Sequence, residues 1–365
     1  MIDRVAVLTG GGDAPGLNGV IRGVVRTAQN RYNAEVYGFM DGFKGLIENR
    51  YVKLDAQNTS GILHRGGTIL GTSNRDNPFR FPAGRDAQGN LQFIDVSDQA
   101  IQNLEALGIQ VLIVIGGDGS LHIAHEFAEK GVRVIGVPKT IDNDLEGTDQ
   151  TFGFDTAVNT AMEAFDRLHT TAESHHRIMV VELMGRYAGW IALHAGIAGG
   201  ADVILIPEIP YDVDCIIRKI RQRCAQGKHF SLVSVAEGAT EKEGSMVVAA
   251  HIEDSTDPIR LGGVGQVVAT KLSQATGLES RATVLGHLQR GGSPMAFDRI
   301  LTTRLGVKAM IQAVEGPWDR MVALRCGEIT VIPILDAISK TKNVDPQSEI
   351  VQAARAIGVC MGDDD

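Results

Sequence analysis

Six short, continuously apolar runs constrain this chain more than any other feature. They are RVAVLT (4–9), VLIVIGG (111–117), VRVIGVP (132–138), HRIMVVELMG (176–185), DVILIPE (202–208) and FSLVSVAEG (230–238). A strand with one wet face alternates apolar and polar residues. Runs without alternation are buried on both faces, as in a parallel sheet covered by helices. Helical patterns lie between them: Leu17, Val20, Ile21, Val24, Val25 and Ala28 share one face, a helix opens near Ser120, and RYAGWIALHAGIAGG (186–200) is a helix of small residues. Strand–helix alternation over most of the chain predicts an α/β fold with doubly wound parallel sheets. At 365 residues the chain exceeds what one core usually serves, so two lobes are expected. No linker marks their boundary, which implies several chain crossings. Residues 238–265 are charged and Gly-rich and are expected to form a surface excursion, and the closing GDDD a solvated, frayed tail.

Composition excludes some functions. The net charge of −9 argues against a general nucleic-acid or membrane binder, although a local arginine cluster can still hold an anion. No run approaches the ~18 apolar residues of a membrane span. The opening MIDRVAVLTG has no basic segment or cleavage site, so a cytoplasmic protein is expected. Cys215, Cys224, Cys326 and Cys360 form no C-x-x-C pair, which lowers metal-cluster and disulfide readings.

In open α/β sheets, ligands bind beyond the carboxyl ends of the strands. The residues there are TGGGDAPG (9–16), GGDGS (116–120), PKTIDND (138–144), MGRYAG (184–189) and Glu237. Two of these loops are Gly-rich and open helices, a pattern suited to phosphate. Pro15 breaks the dinucleotide fingerprint counted from Gly10, and no P-loop motif occurs. Asp118 reads either as a first-turn acid of its helix or as a magnesium ligand beside a phosphate cradle. The cluster Lys139, Thr140, Asp142 and Asp144 reads either as a polar loop or as the parts of phosphoryl transfer: a base, with Lys139 and nearby arginines as cations. SRATVLGHLQRGGSP (280–294) holds Arg281, His287 and Arg290 with no acidic partner nearby, which suits a sugar phosphate. Arg75, in GGTILGTSNRDNPF (66–79), reads equally well as a solvated turn.

Six segments in this order, TGGGDAPGLN, GGTILGTSNR, GGDGS, PKTIDND, SHHRIMVVELMGRYAG and RATVLGHLQRGGSP, resemble the 6-phosphofructokinase family from about residue 5 to 310. The resemblance implies two Rossmann-like lobes: 1–153 with about 289–340 for the phosphoryl donor, and about 154–288 with 341–365 for the sugar phosphate. It implies Mg²⁺-dependent transfer to the 1-hydroxyl of fructose 6-phosphate, in glycolysis. Asp142 is then the base, and Asp118 the metal ligand. Gly11, Gly12, Gly117, Gly119 and Ser120 surround the donor phosphates, while Arg75, Lys139 and Thr140 lie beside the transferred group. Met184, Gly185, Arg186, Glu237, His287 and Arg290 belong to the sugar-phosphate site. Arg177 and Arg281 correspond to arginines that reach the 6-phosphate from a neighbouring subunit of a homotetramer or homodimer.

Family members use ATP or pyrophosphate. Gly119 leaves room for an α-phosphate and points to ATP. Lys139, and Ile123 in place of a glycine, point to pyrophosphate, and the combination resembles the mixed-substrate subgroup. A missing obstacle permits ATP, whereas an extra cation helps either donor, so ATP is expected and pyrophosphate is the alternative. Of the family's effector cluster, Arg22, Arg26 and Lys228 match, but Ala56, His169 and Gln226 replace cations, so little response to ADP or phosphoenolpyruvate is expected. Two rivals carry less support. GGDG also occurs in NAD and diacylglycerol kinases, which lack TIDND and HLQRGG. A non-catalytic sugar-phosphate sensor would not need both Asp118 and Asp142.

Overall fold

The computed structural model describes residues 2–251 and 259–363. Among these, seven strands form one sheet in the order Glu328–Pro333, Arg320–Arg325, Val134–Pro138, Val111–Gly116, Arg4–Thr9, Glu35–Phe39, Tyr51–Leu54. The five inner strands are parallel. A second sheet has four parallel strands in the order Ser280–Val284, Ile178–Leu183, Ser231–Ala236, Val203–Leu205. The α/β architecture expected from the apolar runs is present.

The large sheet differs from an all-parallel one at its edges. Tyr51–Leu54 and Glu328–Pro333 pair antiparallel with their inner neighbours. Glu328–Pro333 follows its partner after only Cys326 and Gly327, whereas the connection to Tyr51–Leu54 contains the helix Phe43–Ile47. Both are partly exposed, so the continuous apolar signature is absent there.

Both faces of the large sheet are covered. Val5, Val7, Ile113 and Ile115 point towards Val20, Ile21 and Val24 of helix Leu17–Thr27 and Leu301 and Leu305 of helix Ala296–Glu315. Ala6, Leu8, Leu112 and Val114 point the other way, towards Leu121, Ala124 and Phe127 of helix Asp118–Glu129. Each buried Val, Leu or Ile contributes about 1.5–3 kcal/mol relative to exposure. The small sheet is built likewise, against helices Phe154–His175 and Trp190–Ala198 on one face and Val213–Ala225 and Val264–Thr276 on the other.

Helices Leu17–Thr27 and Ala296–Glu315 cross at two glycines. A Cβ on Gly23 would stand 3.0 Å from the carbonyl of Thr303, and one on Gly306 2.5 Å from that of Val20. Only hydrogen fits, and the close crossing brings the loops that open the two helices together. The inner strands are also level: Thr9 pairs with Ile115, and Gly116 with Pro138. The loops after three strands therefore start from one edge.

The excursion begins as expected and then forms structure. Strands Val248–His251 and Ile259–Leu261 make a separate antiparallel pair, while residues 252–258 lie outside the described residues. The tail is not frayed through Asp363, which accepts two bonds from Arg355 at 2.6 Å; the last two aspartates lie outside the described residues. No helix among the described residues is long and apolar enough to cross a membrane.

Candidate active site

The glycine loop after Arg4–Thr9 is held at both ends. Gly10 donates from N–H to Ile115 O at 2.9 Å, and Gly11 to Ser73 O at 3.0 Å. Ser120 sits against this loop and the strand end at Gly116. A Cβ on Gly10 would lie 2.6 Å from Ser120 Oγ, and one on Gly116 2.3 Å from Ser120 Cβ. Glycine is thus required where two strand-end loops meet. Helix Asp118–Glu129 starts here, so Asp118 and Gly119 stand at its positive end. Asp118 Oδ2 lies 3.4 Å from Nδ1 of His122.

The segment after Val134–Pro138 is knotted by its own side chains. Thr140 Oγ1 accepts the N–H of Asp142 at 3.1 Å, and Thr151 Oγ1 donates to Thr140 O at 2.7 Å. Asn143 has a left-handed backbone, φ 54°, and is buried. Its Oδ1 accepts the N–H of Thr151 at 3.0 Å. With Asn143 turned inwards, the flanking Asp142 and Asp144 face the cavities. Lys139 is buried, and its Nζ donates to Gly12 O. Arg290 Nη1 donates to Asp13 O at 3.3 Å.

Two cavities open along this edge. One of about 350 Å³ is lined by Gly11, Gly12, Gly117, Ser120, Lys139 and Thr140, with Phe43 and Ile123 as its apolar wall. The other, of about 610 Å³, adds Asp144, Met184, Glu182 and Glu237. Asp118, Gly119, Asp142, Arg186, His287 and Arg290 line both. One wall therefore serves two chambers, and it carries two carboxylates, two guanidiniums and a histidine.

Burial controls the charges. It lowers the Lys139 ammonium to about 7, aided by Arg290. Burial raises Asp142, against the pull of Arg290 and Lys139. Asp144 is raised by burial and then by Asp142. Glu237 is pushed up to about 7 by burial and the charge of Asp142. Asp142 Oδ1 is sealed from solvent and has no hydrogen-bond partner among the described residues. An unpaired buried carboxylate oxygen costs stability and is available to accept a proton.

Four expected residues lie outside both linings. Arg75 is exposed, and its neighbours Ser73, Asn74 and Asp76 line the smaller cavity instead. Gly185 forms the turn before Arg186; its φ is 137°, and a Cβ would meet Ala188 O at 2.8 Å. Arg177 and Arg281 stand at the amino ends of their strands, opposite the cavity edge. Both bind Glu279, at 2.7 and 2.5 Å. This corrects the expectation of an Arg281 without an acidic partner: the acid lies one residue before the segment considered.

Some contributors escape sequence reasoning. Gln289 is fully buried, and its Oε1 accepts the N–H of Met184 at 2.8 Å. Glu208 accepts the N–H of Gly189 at 3.0 Å and that of Val344 at 2.8 Å, steadying the turn beyond Arg186. Asp298, fully buried on helix Ala296–Glu315, accepts from Gly153 N–H at 2.8 Å and Thr156 N–H at 2.9 Å, capping helix Phe154–His175 from another element. Position in HLQRGGSP was a signal for Gln289, and Glu208 closes the apolar run DVILIPE; nothing local marked Asp298.

The chain is similar to known proteins over nearly its whole length. The family model described as phosphofructokinase matches residues 4–313. The chain is 54% identical to ATP-dependent 6-phosphofructokinase 2 of Clostridium perfringens, over 99% of each chain. It is 50% identical to pyrophosphate–fructose 6-phosphate 1-phosphotransferase of Streptomyces coelicolor, over 94% of this chain and 96% of that one. Among solved structures it superposes on Pichia pastoris phosphofructokinase in the T-state with a TM-score of 0.78 at 33% identity, covering 98% of this chain and 37% of that longer one. A pyrophosphate-dependent phosphofructokinase from Marinobacter aquaeolei, at 21% identity and a TM-score of 0.79, shares the fold.

Proposed function

The chain belongs to the phosphofructokinase family, and from that premise we propose that it transfers a phosphoryl group from ATP to the 1-hydroxyl of fructose 6-phosphate, giving ADP and fructose 1,6-bisphosphate. The observation that carries the reading is the shared wall. A donor in the smaller cavity and a sugar phosphate in the larger one would meet at Asp118, Asp142, Arg186, His287 and Arg290.

Asp142 takes the proton of the 1-hydroxyl as its oxygen attacks the γ-phosphorus, and the bond to the β-phosphate oxygen breaks. Lys139, Arg186 and Arg290 surround the wall with positive charge, and Thr140 holds the Asp142 backbone. Among the described residues no group of three His, Cys, Asp or Glu side chains could hold a metal by itself. A lone carboxylate such as Asp118 fits magnesium, which takes its remaining ligands from phosphates and water. Magnesium held there would draw off charge from the phosphoryl oxygens.

In this reading the lobe of 1–153 and about 289–340 serves the donor, through the loops of the large sheet. The lobe of about 154–288 and 341–365 serves the sugar phosphate, through Met184 and Glu237 after strands of the small sheet. Arg177 and Arg281, away from the cavities of their own chain, serve a neighbouring subunit of a homo-oligomer.

Gly119 supports ATP: a Cβ added there meets no atom within 4 Å, so the chamber is open beside the helix start. Lys139 supports a second reading, pyrophosphate as donor, because its buried ammonium would stabilise a phosphate leaving group. The test is initial-rate assay with fructose 6-phosphate and Mg²⁺, with ATP or pyrophosphate in parallel. ATP turnover is expected. Turnover with pyrophosphate alone would replace the donor assignment, and turnover with neither would overturn the reading.

A further inference from the structure

Lys342 lies far from the glycine loops in sequence, on a stretch with no motif. Its ammonium nevertheless meets three acceptors of the segment behind Asp142: Asp149 O at 2.7 Å, Thr148 O at 2.9 Å and Asn143 Oδ1 at 3.3 Å. These match its three N–H donors. The ammonium also stands 5.4 Å from the Trp190 ring. A lysine on a polar segment is usually a solvated charge, but this one is saturated by one loop.

Its backbone is engaged as well. Lys342 N–H donates to Asp144 O at 2.9 Å, and Trp190 Nε1 donates to Lys342 O at 2.7 Å. Thr341 bridges Leu145 and lines the larger cavity. Val344 N–H reaches Glu208, which also holds Gly189. Residues 341–344 thus form a strap between the carboxylate loop and the turn beyond Arg186. From the opposite side the loop is tied to the large sheet, by Asp149 N–H to Leu324 O at 2.7 Å.

We infer that Lys342 is a positioning residue: its ammonium fixes Asn143 and the 148–149 carbonyls, and so aims Asp142 and Asp144 at the wall shared by the two cavities. The inference rests on the phosphoryl-transfer reading above. Burial lowers this ammonium to about 8, while Asp149, Glu146 and Asp144 oppose the shift, in keeping with a charge held inside a carbonyl cage. A small displacement of a base from its acceptor costs up to about 10²-fold in rate, so the cage acts on kcat more than on binding.

The experiment measures kcat and KM for fructose 6-phosphate, with Mg²⁺ and ATP, in the wild type, Lys342→Ala and Lys342→Met, with and without added ethylammonium. Lys342→Met keeps an apolar stem against Trp190 should the alanine variant fold poorly. Circular dichroism measures the folded fraction. Expected are a kcat lowered about tenfold or more with a smaller change in KM, and recovery of several-fold when ethylammonium enters the space left in Lys342→Ala. An active wild type whose folded variants keep kcat within roughly twofold overturns the inference. So does a loss that tracks the folded fraction and that no amine restores, since that is a purely structural role. A wild type without fructose 6-phosphate turnover overturns the underlying reading, a distinct result.

Discussion

Lys139 Nζ donates to Gly12 O, so the cation after Val134–Pro138 is fastened to the glycine loop after Arg4–Thr9, two strands away in the sheet. The contact places a buried ammonium against the floor of the smaller cavity and ties its charge to the state of that cavity.

Lys139 is lowered to about 7, so in the free protein it is charged below that pH and neutral above it. A polyanionic donor binds the charged form. kcat/KM for the donor should therefore fall as pH rises through about 7, and Lys139→Met should remove that limb while lowering kcat/KM by about 10²-fold. Initial rates at limiting donor between pH 6 and 9 check this. An unchanged alkaline limb in the variant assigns it to another group.

Asp142→Ser should cost about 10²–10⁴-fold in kcat, the usual share of a general base. Fructose 6-phosphate binding, measured by calorimetry, should persist, because the arginines and Glu237 remain. Turnover near the wild-type rate would remove Asp142 from the role of base.

Glu237 illustrates the stability cost of this wall. Its folded value is about 7 against an ordinary 4.5, so the folded protein binds a proton more readily than the unfolded chain does. Stability from this group is full below the ordinary value, falls as pH rises between the two, and stays reduced above about 7. Glu237→Gln should raise Tm at pH 8 by a few degrees, and by less at pH 4.5, while weakening the substrate site. Thermal denaturation at the two pH values measures the difference.

Gly119→Asp should leave Tm nearly unchanged, because the added atoms enter open space from an ordinary backbone. It should lower kcat/KM for ATP by about 10²-fold or more through repulsion of an α-phosphate, and affect pyrophosphate less. Equal losses with both donors would mean that the space beyond Gly119 is not where the nucleotide lies.

The large-scale fold was legible because inner strands advertise their burial: 111–116 and 134–138 are buried throughout. The edge strands were less legible, since in Tyr51–Leu54 and Glu328–Pro333 charged or polar residues interrupt the apolar ones. Within the site, residues on strand-end loops were legible because glycine, aspartate and lysine occur there in unusual density. Lys342 and Asp298 were not, nor were the partners of Glu208. Each acts on a loop more than 15 residues away in sequence, and a side chain's remote partner leaves no mark in local pattern. Glu279 shows the same limit at short range: only the folded strands reveal that one carboxylate holds Arg177 and Arg281 together.

The shared wall also has a consequence during synthesis. It is assembled from positions 118, 142, 186, 287 and 290, so no shorter nascent chain contains it. A ribosome that has released the glycine loops and Asp118 has made only the first side of that wall. A chain interrupted before His287 lacks both His287 and Arg290, so its two cavities have no complete wall in common.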